Sequence, residues 1–328
     1  MSFTNAQASD IDLKRTASLR LYSLPNTEEI QACWELCRLH NNIGFWVIWL
    51  PTAWSIAMYY RANLNVSGLS CLQVAFFFVP LCLGIKSLIM TIDDILDRDV
   101  DLLVERTMNR PLPRGAISVH RAWLFFAIQV VTGLYLAVFH LKPETRYISM
   151  AAWPIFLVYP TCKRWMNFAP VPLGFMFAPG IFMGWSQLDP NGDVAWKILI
   201  PVYLGCVCWT IAYETVYQHQ DKVDDKKIGL HSPALYCAEK TIPICICSSV
   251  CFFALLVYGG AMNEHGIAFH SAVLVASRLH FSQLVKTNID IPETCKQFFL
   301  AAPRVGQIIL TGLVIDGVLS RLVMGLPL

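Results

Sequence analysis

Charge is what this chain has least of. Only 15% of its 328 residues are Asp, Glu, Lys or Arg, against roughly a quarter in a soluble domain. That is too few to cover a globular surface of this size, which argues against a cytosolic protein and makes the bilayer the implied solvent. The net charge of +2 offers no basis for a nucleic-acid partner. The 12 cysteines contain no CxxC pair and no Cys/His metal spacing, so they read as small buried apolar side chains, not disulfides or a zinc site. The first 30 residues lack the apolar core of a cleavable secretory signal, and Asp10 and Asp12 count against a mitochondrial transit peptide. Residues 1–35 read as a flexible N-terminal tail, and 36–328 as one membrane domain.

Apolar residues are what the chain has in excess: 55% of the sequence, with a mean hydropathy of +0.50. A transmembrane helix needs about 20 mostly apolar residues. Charge-free stretches predict nine: roughly 42–60, 68–92, 120–140, 146–162, 168–187, 195–217, 241–260, 264–285 and 303–324. The fold class is therefore all-α, a multi-pass bundle. Prolines 51, 80, 154 and 179 fall inside spans, which neighbouring helices can accommodate. With nine spans, eighteen of the 25 Lys and Arg residues gather on the face shared by the N-terminus and loops 2–3, 4–5, 6–7 and 8–9. The positive-inside rule makes that face cytoplasmic.

The acids are clustered too. The second span ends in Asp93-Asp94-Ile95-Leu96-Asp97-Arg98-Asp99-Val100-Asp101, where a continued helix puts Asp93, Asp97 and Asp101 on one narrow face. The sixth span carries Glu214 and then Asp221-Lys222-Val223-Asp224-Asp225, with Asp221 and Asp225 again four apart. Like charges at that spacing repel, and ionised groups near hydrocarbon cost several kcal/mol, so the pattern makes sense around a cation. Carboxylates alone suit a hard metal such as Mg²⁺, completed by substrate phosphates. Arg106, Arg110 and Arg114 follow the first cluster, Lys222, Lys226 and Lys227 interleave the second, and Lys163 and Arg164 end the fourth span. Guanidinium forks and ammonium groups of this kind hold phosphate. The ligand implied is a diphosphate on an apolar tail.

Asp94-x-x-Asp97-x-x-x-Asp101, followed by Val104-Glu105-Arg106-Thr107-Met108-Asn109-Arg110-Pro111-Leu112-Pro113, resembles the first signature of the UbiA-type intramembrane prenyltransferases. The stretch Tyr213 to Gly229, with His219-Gln220-Asp221 at its centre, resembles the second. Tyr159-Pro160 with Lys163-Arg164, and Arg38 with Gly44, are similar to two further elements. The second signature looks most like fungal members that prenylate polyketides for meroterpenoids. The resemblance implies a nine-helix bundle around a central cavity, Mg²⁺ as cofactor, and an allylic prenyl diphosphate of farnesyl or geranylgeranyl class as donor. Its implied acceptor is a phenolic or pyrone polyketide, and its setting the endoplasmic reticulum with the site mouth facing the cytosol.

Carried over by position, Asp93, Asp97, Asp101, Asp221 and Asp225 would face metal. Arg38, Arg106, Arg110, Tyr159, Lys163 and Arg164 would bind substrate, Asp94 and Glu214 would either support the ligand-facing residues from behind or stand near the acceptor, and Lys86 would act near the acceptor. The chain departs from the family pattern in having Asp93 for Asn, Glu214 for Asp, Lys86 for Arg, bulkier Ser87-Leu88-Ile89-Met90 for a small stretch, His40-Asn41-Asn42 in the first span, and His231 for Lys. Most of these changes fall on the acceptor side, which makes an arginine-clamped 4-hydroxybenzoate the less expected acceptor. A 4-hydroxybenzoate polyprenyltransferase of quinone biosynthesis and an acceptor-free intramembrane terpene cyclase are the enzymatic alternatives. A transporter is disfavoured because the acids sit at one surface with no midplane chain.

Overall fold

The computed structural model describes residues 24–328, and every regular element among them is helical. The first is α1 (Thr27–Leu36), started by a capping box in which the Asn26 side chain accepts from Glu29 N (2.8 Å) and Glu29 accepts from Asn26 N (3.2 Å). Residues 1–23 of the expected tail lie outside the described residues; the remainder is not tail-like. Ala32 and Leu36 are fully buried against Ile95, Leu112, Ile117 and Ala122. Glu29 pairs with Arg121 at 2.9 Å and Glu35 with Arg114 at 2.7 Å. The apolar spacing Ala32/Leu36, set between charged positions, is what docks this helix.

The bundle follows as α2 (Ile43–Ala62), α3 (Gly68–Leu96), α4 (Val119–His140), α5 (Pro143–Val158), α6 (Pro170–Phe177), α7 (Gly180–Leu188), α8 (Trp196–Tyr217), the short α9 (Lys222–Ile228), α10 (Thr241–Met262), α11 (Ile267–Lys286) and α12 (Pro292–Met324). Nine crossings were expected. Among the described residues five segments are long and apolar enough to cross a membrane: Gly68–Leu96, Val119–His140, Trp196–Ile228, Pro233–Met262 and Pro292–Met324. The other four fall short for separate reasons. α5 has only 16 residues, and the stretch expected at 168–187 is cut into α6 and α7 at Ala178-Pro179. α2, rich in Trp and Tyr, and α11, carrying His270, Arg278, His280 and Lys286, are less apolar although each has 20 residues.

Burial sorts the helices into a centre and a lipid-facing rim. α2 buries fifteen of its residues, whereas α4 buries only Arg121 and Ala122 and exposes Leu124, Ile128, Val131, Tyr135 and Phe139. An apolar helix face left uncovered in this way is stable where the surrounding solvent is lipid. At the centre the Trp209 ring stacks on Trp54 (5.6 Å) and on Phe252 (5.5 Å), bringing α8, α2 and α10 together. Trp54 Nε1 donates to Gly306 O at 3.0 Å. A Cβ at Gly306 would lie 2.5 Å from Leu50 and 3.0 Å from Trp209, so only glycine lets α12 approach here.

The last helix is tied to α2 by Arg321, which is 1% exposed. Its Nη2 donates to Tyr60 O (3.1 Å) and Asn63 O (2.8 Å), and its Nη1 to Pro327 O (3.1 Å). The guanidinium lies 3.8 Å from the Tyr60 ring centroid. It thus satisfies carbonyls left open at the C-terminal end of α2, where the helix dipole favours a cation. Hydrogen bonds from a charged donor contribute about 1.5–3 kcal/mol each. Arg321→Leu is expected to lower the unfolding temperature of the detergent-solubilised protein by about 4 °C or more. Exposed Lys296→Ala should move it by about 1 °C or less, and equal shifts would remove Arg321 from this role.

Candidate active site

One end of the bundle gathers both acidic clusters around a single cavity. α3 does not run on through the first cluster: it ends at Leu96, with Asp97 as its cap, and a separate turn covers Arg98–Asp101. The register nevertheless survives the break. Asp97 N donates to Asp93 O at 2.8 Å and Asp101 N to Asp97 O at 2.7 Å, so the i, i+4 spacing holds and all three aspartates line the cavity. Glu214 on α8, Asp221 on the 3₁₀ turn Gln218–Asp221 and Asp225 on α9 line the facing wall. α9 is closed by Gly229 in the left-handed region (φ +78°), which glycine enters without steric cost.

Arginines lie between the walls. Arg106 grips Asp221 with both arms, Nε to Oδ1 at 2.8 Å and Nη2 to Oδ2 at 2.6 Å. Arg110 donates through Nη1 to both oxygens of Asp101 (3.0 and 2.8 Å) and to Asp94 Oδ1 (3.1 Å). Arg164 bonds Leu96 O and Asp99, and lies 3.7 Å from Asp97. Lys163 and Tyr159 reach the cavity from the same 3₁₀ turn, Tyr159–Arg164, which is held to the second cluster by His231 N donating to Lys163 O. Burial lifts the Asp97 carboxyl to about 6 against the pull of nearby Lys163, and burial raises Asp101 as well.

Two residues expected near the acceptor are placed differently from each other. Glu214 is on the cavity wall. Asp94 is 1% exposed and is not among the cavity-lining residues; its Oδ1 accepts from Arg38 Nη2 at 2.7 Å and from Arg110, so it aligns two arginines and does not face a ligand. Lys86, 2% exposed, lines the cavity while its Nζ donates to Arg38 O (2.6 Å) and Asn41 O (2.9 Å). It fastens the connection between α1 and α2, where Arg38 takes a left-handed backbone (φ +48°). Gly44 permits this, since its Cβ position lies 3.1 Å from Lys86 Cγ. Tyr217, Gln218 and Phe299 also line the cavity and carry no individual role in the sequence reading, and Asn41, noted there as a departure from the family pattern, lines it too. Gln218 could have been singled out, standing four residues after Glu214 on one helical face, whereas Phe299 comes from a distant helix with no local signal.

Among the described residues no three His, Cys, Asp or Glu side chains meet closely enough to hold a metal ion. The carboxylates are spread over two walls with guanidinium groups between them. The donor set itself fits a hard divalent cation, being all carboxylate oxygen, and Asp93 Oδ1 and Asp225 Oδ2 are buried without a hydrogen-bond partner. One is offered from each wall.

The sequence matches the UbiA prenyltransferase family over residues 48–303. It is 33% identical over 282 residues to a mitochondrial 4-hydroxybenzoate polyprenyltransferase of Aedes aegypti, covering 85% of this chain and 62% of that relative, so the chain spans less than two thirds of that protein's length. To the corresponding enzyme of Schizosaccharomyces pombe it is 30% identical over 292 residues, 86% of this chain and 78% of that one. A UbiA homolog from Archaeoglobus fulgidus bound to GPP and Mg²⁺ superimposes with a TM-score of 0.62 at 19% identity, over 85% of this chain and 99% of that one. These relatives correct two finer expectations. They carry the name of 4-hydroxybenzoate polyprenyltransferases and not of fungal meroterpenoid enzymes, and their mitochondrial designation lends no support to the endoplasmic reticulum. The helices apolar enough to cross a membrane, the two signatures converging on one cavity and the match over most of the chain establish that this integral membrane protein belongs to the UbiA prenyltransferase family and is a prenyltransferase.

Proposed function

We propose that the protein transfers a prenyl group from an allylic diphosphate to the ring of a phenolic acid of the 4-hydroxybenzoate type. The carrying observation is the division of one cavity into a doubly charged mouth, with acids and arginines interleaved, and an inner part lined by Ile43, Val47, Met90, Leu173 and Phe177. The relatives named above, with their 4-hydroxybenzoate acceptor, support the phenolic acid over the polyketide. The buried ammonium of Lys86 supports it too, because its two partners are neutral carbonyls and its charge remains available to an acceptor carboxylate.

Asp93, Asp97 and Asp101 on one wall and Asp221 and Asp225 on the other would hold Mg²⁺. When bound, the ion supplies positive charge that favours departure of the diphosphate. Arg106, Arg110, Lys163 and Arg164 hold the diphosphate oxygens, Arg106 as a bidentate fork. The apolar wall keeps water from the allylic cation as the C–O bond opens. The ring carbon then forms the new C–C bond, and its proton passes to a carboxylate oxygen of Glu214.

Asp221→Ala and Asp97→Ala are each expected to reduce prenyl transfer below about a tenth of the wild-type rate in membranes while leaving the amount of inserted protein unchanged. Retention of more than that in either variant would contradict the role of the two walls.

Since Arg106 occupies both oxygens of Asp221, Arg106→Gln is expected to act in opposite directions on the two ligands. Geranyl diphosphate should bind at least about tenfold more weakly. Mn²⁺ measured alone by calorimetry should bind more tightly than to the wild type, and a loss of both affinities would show that Arg106 does not compete for the carboxylate.

Lys86→Met should raise KM for 4-hydroxybenzoate at least about tenfold with KM for the diphosphate within about twofold. Turnover of a neutral hydroxypyrone in preference to 4-hydroxybenzoate by the wild type would overturn the acidic acceptor.

A further inference from the structure

Gln218 opens the 3₁₀ turn between α8 and α9. It is 4% exposed and lines the cavity, and its Oε1 is buried with no hydrogen-bond partner. Buried amide oxygens are almost always paired, because leaving one unpaired forfeits its hydration without return. Asp221 is engaged with Arg106 and Gln220 Nε2 with Tyr217 O, while Thr215 Oγ1 and His219 Nδ1 are buried without partners of their own and give none to Gln218. The open acceptor at Gln218 receives no hydrogen bond from its own turn.

Its position says which ligand would supply one. Gln218 stands four residues after Glu214 and three before Asp221, so it lies on the wall between the carboxylate facing the inner cavity and the Arg106–Asp221 pair at the mouth. Beside it Tyr217 packs against Phe299, ring centroids 4.1 Å apart, and the Arg106 guanidinium lies 5.8 Å from the Tyr217 ring. An aromatic surface next to a lone hydrogen-bond acceptor suits a flat ring bearing a hydroxyl. An ionised diphosphate has oxygens to offer but no donor.

We propose that Gln218 is an acceptor-binding residue whose Oε1 receives the hydrogen bond of the substrate's phenolic hydroxyl, holding the ring by the edge that meets the prenyl carbon. The inference rests on the phenolic-acid reading and deepens it by naming a residue that decides which aromatic compounds are accepted. A site built to bond a hydroxyl rejects the analogue lacking that donor far more strongly than an apolar pocket does. Replacing the amide by an apolar side chain removes the demand and with it the discrimination.

The test measures binding of 4-hydroxybenzoate and of 4-methoxybenzoate, which keeps the carboxylate and ring but has no donor, to purified full-length protein loaded with geranyl thiodiphosphate and Mg²⁺. Wild type is expected to prefer the hydroxy acid by about tenfold or more. In Gln218→Leu and Gln218→Ala the preference should fall to about twofold or less, with geranyl thiodiphosphate binding within about twofold of wild type, which also reports that the variants are folded. Preserved preference in a variant that still binds the thiodiphosphate overturns the proposal, and so does a variant whose main defect is in Mn²⁺ or thiodiphosphate affinity, which would make the amide a ligand of the mouth. Wild type that binds the thiodiphosphate but neither aromatic acid overturns the phenolic-acid reading itself. Wild type that binds both acids equally overturns Gln218 alone.

Discussion

Everything at the mouth of this bundle depends on pairing carboxylates with guanidinium groups where neither could stand alone. Asp94 and Asp101 are almost fully buried, Asp221 nearly so, and each is compensated by an arginine from the loop between α3 and α4 or from the connection ahead of α2. An isolated ion in such surroundings costs several kcal/mol, and removing one partner of a buried pair is more damaging than replacing both. The two acidic clusters and the arginines near them are therefore one unit. That unit joins the loop 102–118 to α3 and to the turn after α8, beside the small apolar cluster of Leu36, Ile95, Leu112 and Ile117.

The same pairing gives the site its chemical logic. Oxygens suited to a divalent cation and guanidinium groups suited to diphosphate are the same atoms that neutralise one another in the free protein. A cation arriving alone has to displace arginines that then lack partners, and a diphosphate arriving alone has to draw arginines away from carboxylates that then repel. Arriving together, each relieves the other's deficit. The exchange leaves net charge at the mouth nearly constant, which matters beside hydrocarbon, where unbalanced charge is most costly. Asp94 stands apart from the exchange: off the cavity wall, it keeps Arg38 and Arg110 aligned whichever partner their other contacts take.

Much of this was legible from residue spacing, and the misses have identifiable physical causes. Asp93, Asp97 and Asp101 were placed on one face by assuming a continuous helix. The helix breaks at Leu96, yet the hydrogen bonds across the break preserve the spacing, so the inference survived a false premise. The count of spans was less secure because charge-free length does not distinguish one helix from two: Ala178-Pro179 divides a stretch that contains no charge. The N-terminal helix was hidden because its docking face is only Ala32 and Leu36, too small to register against the polar residues around it. Asp94 falls off the i, i+4 face shared by Asp93, Asp97 and Asp101, and its side chain turns instead to Arg38 and Arg110. Gln218 sat inside a recognised motif, where attention to charged positions passed over an uncharged amide.

The wall that carries that amide is backed by close helix packing. The wall bearing Glu214, Gln218 and Asp221 is the end of α8 and the 3₁₀ turn that follows it, and α8 is held by the mutual stacking of Trp209, Trp54 and Phe252 and by close approach to α10 at Gly205 and Gly259. In a membrane the hydrophobic effect does not drive helices together, so fit and a few interior hydrogen bonds must do it. Small residues and stacked rings provide that fit at the level of the inner cavity, and Arg321 with the carbonyls of α2 closes the far end. The mouth adds ion pairs to a smaller apolar cluster, and ion pairs can exchange partners. A packed inner wall beneath a mouth whose charges can re-pair suits the proposed prenyl transfer, in which an acceptor has to be held still while the leaving group is released.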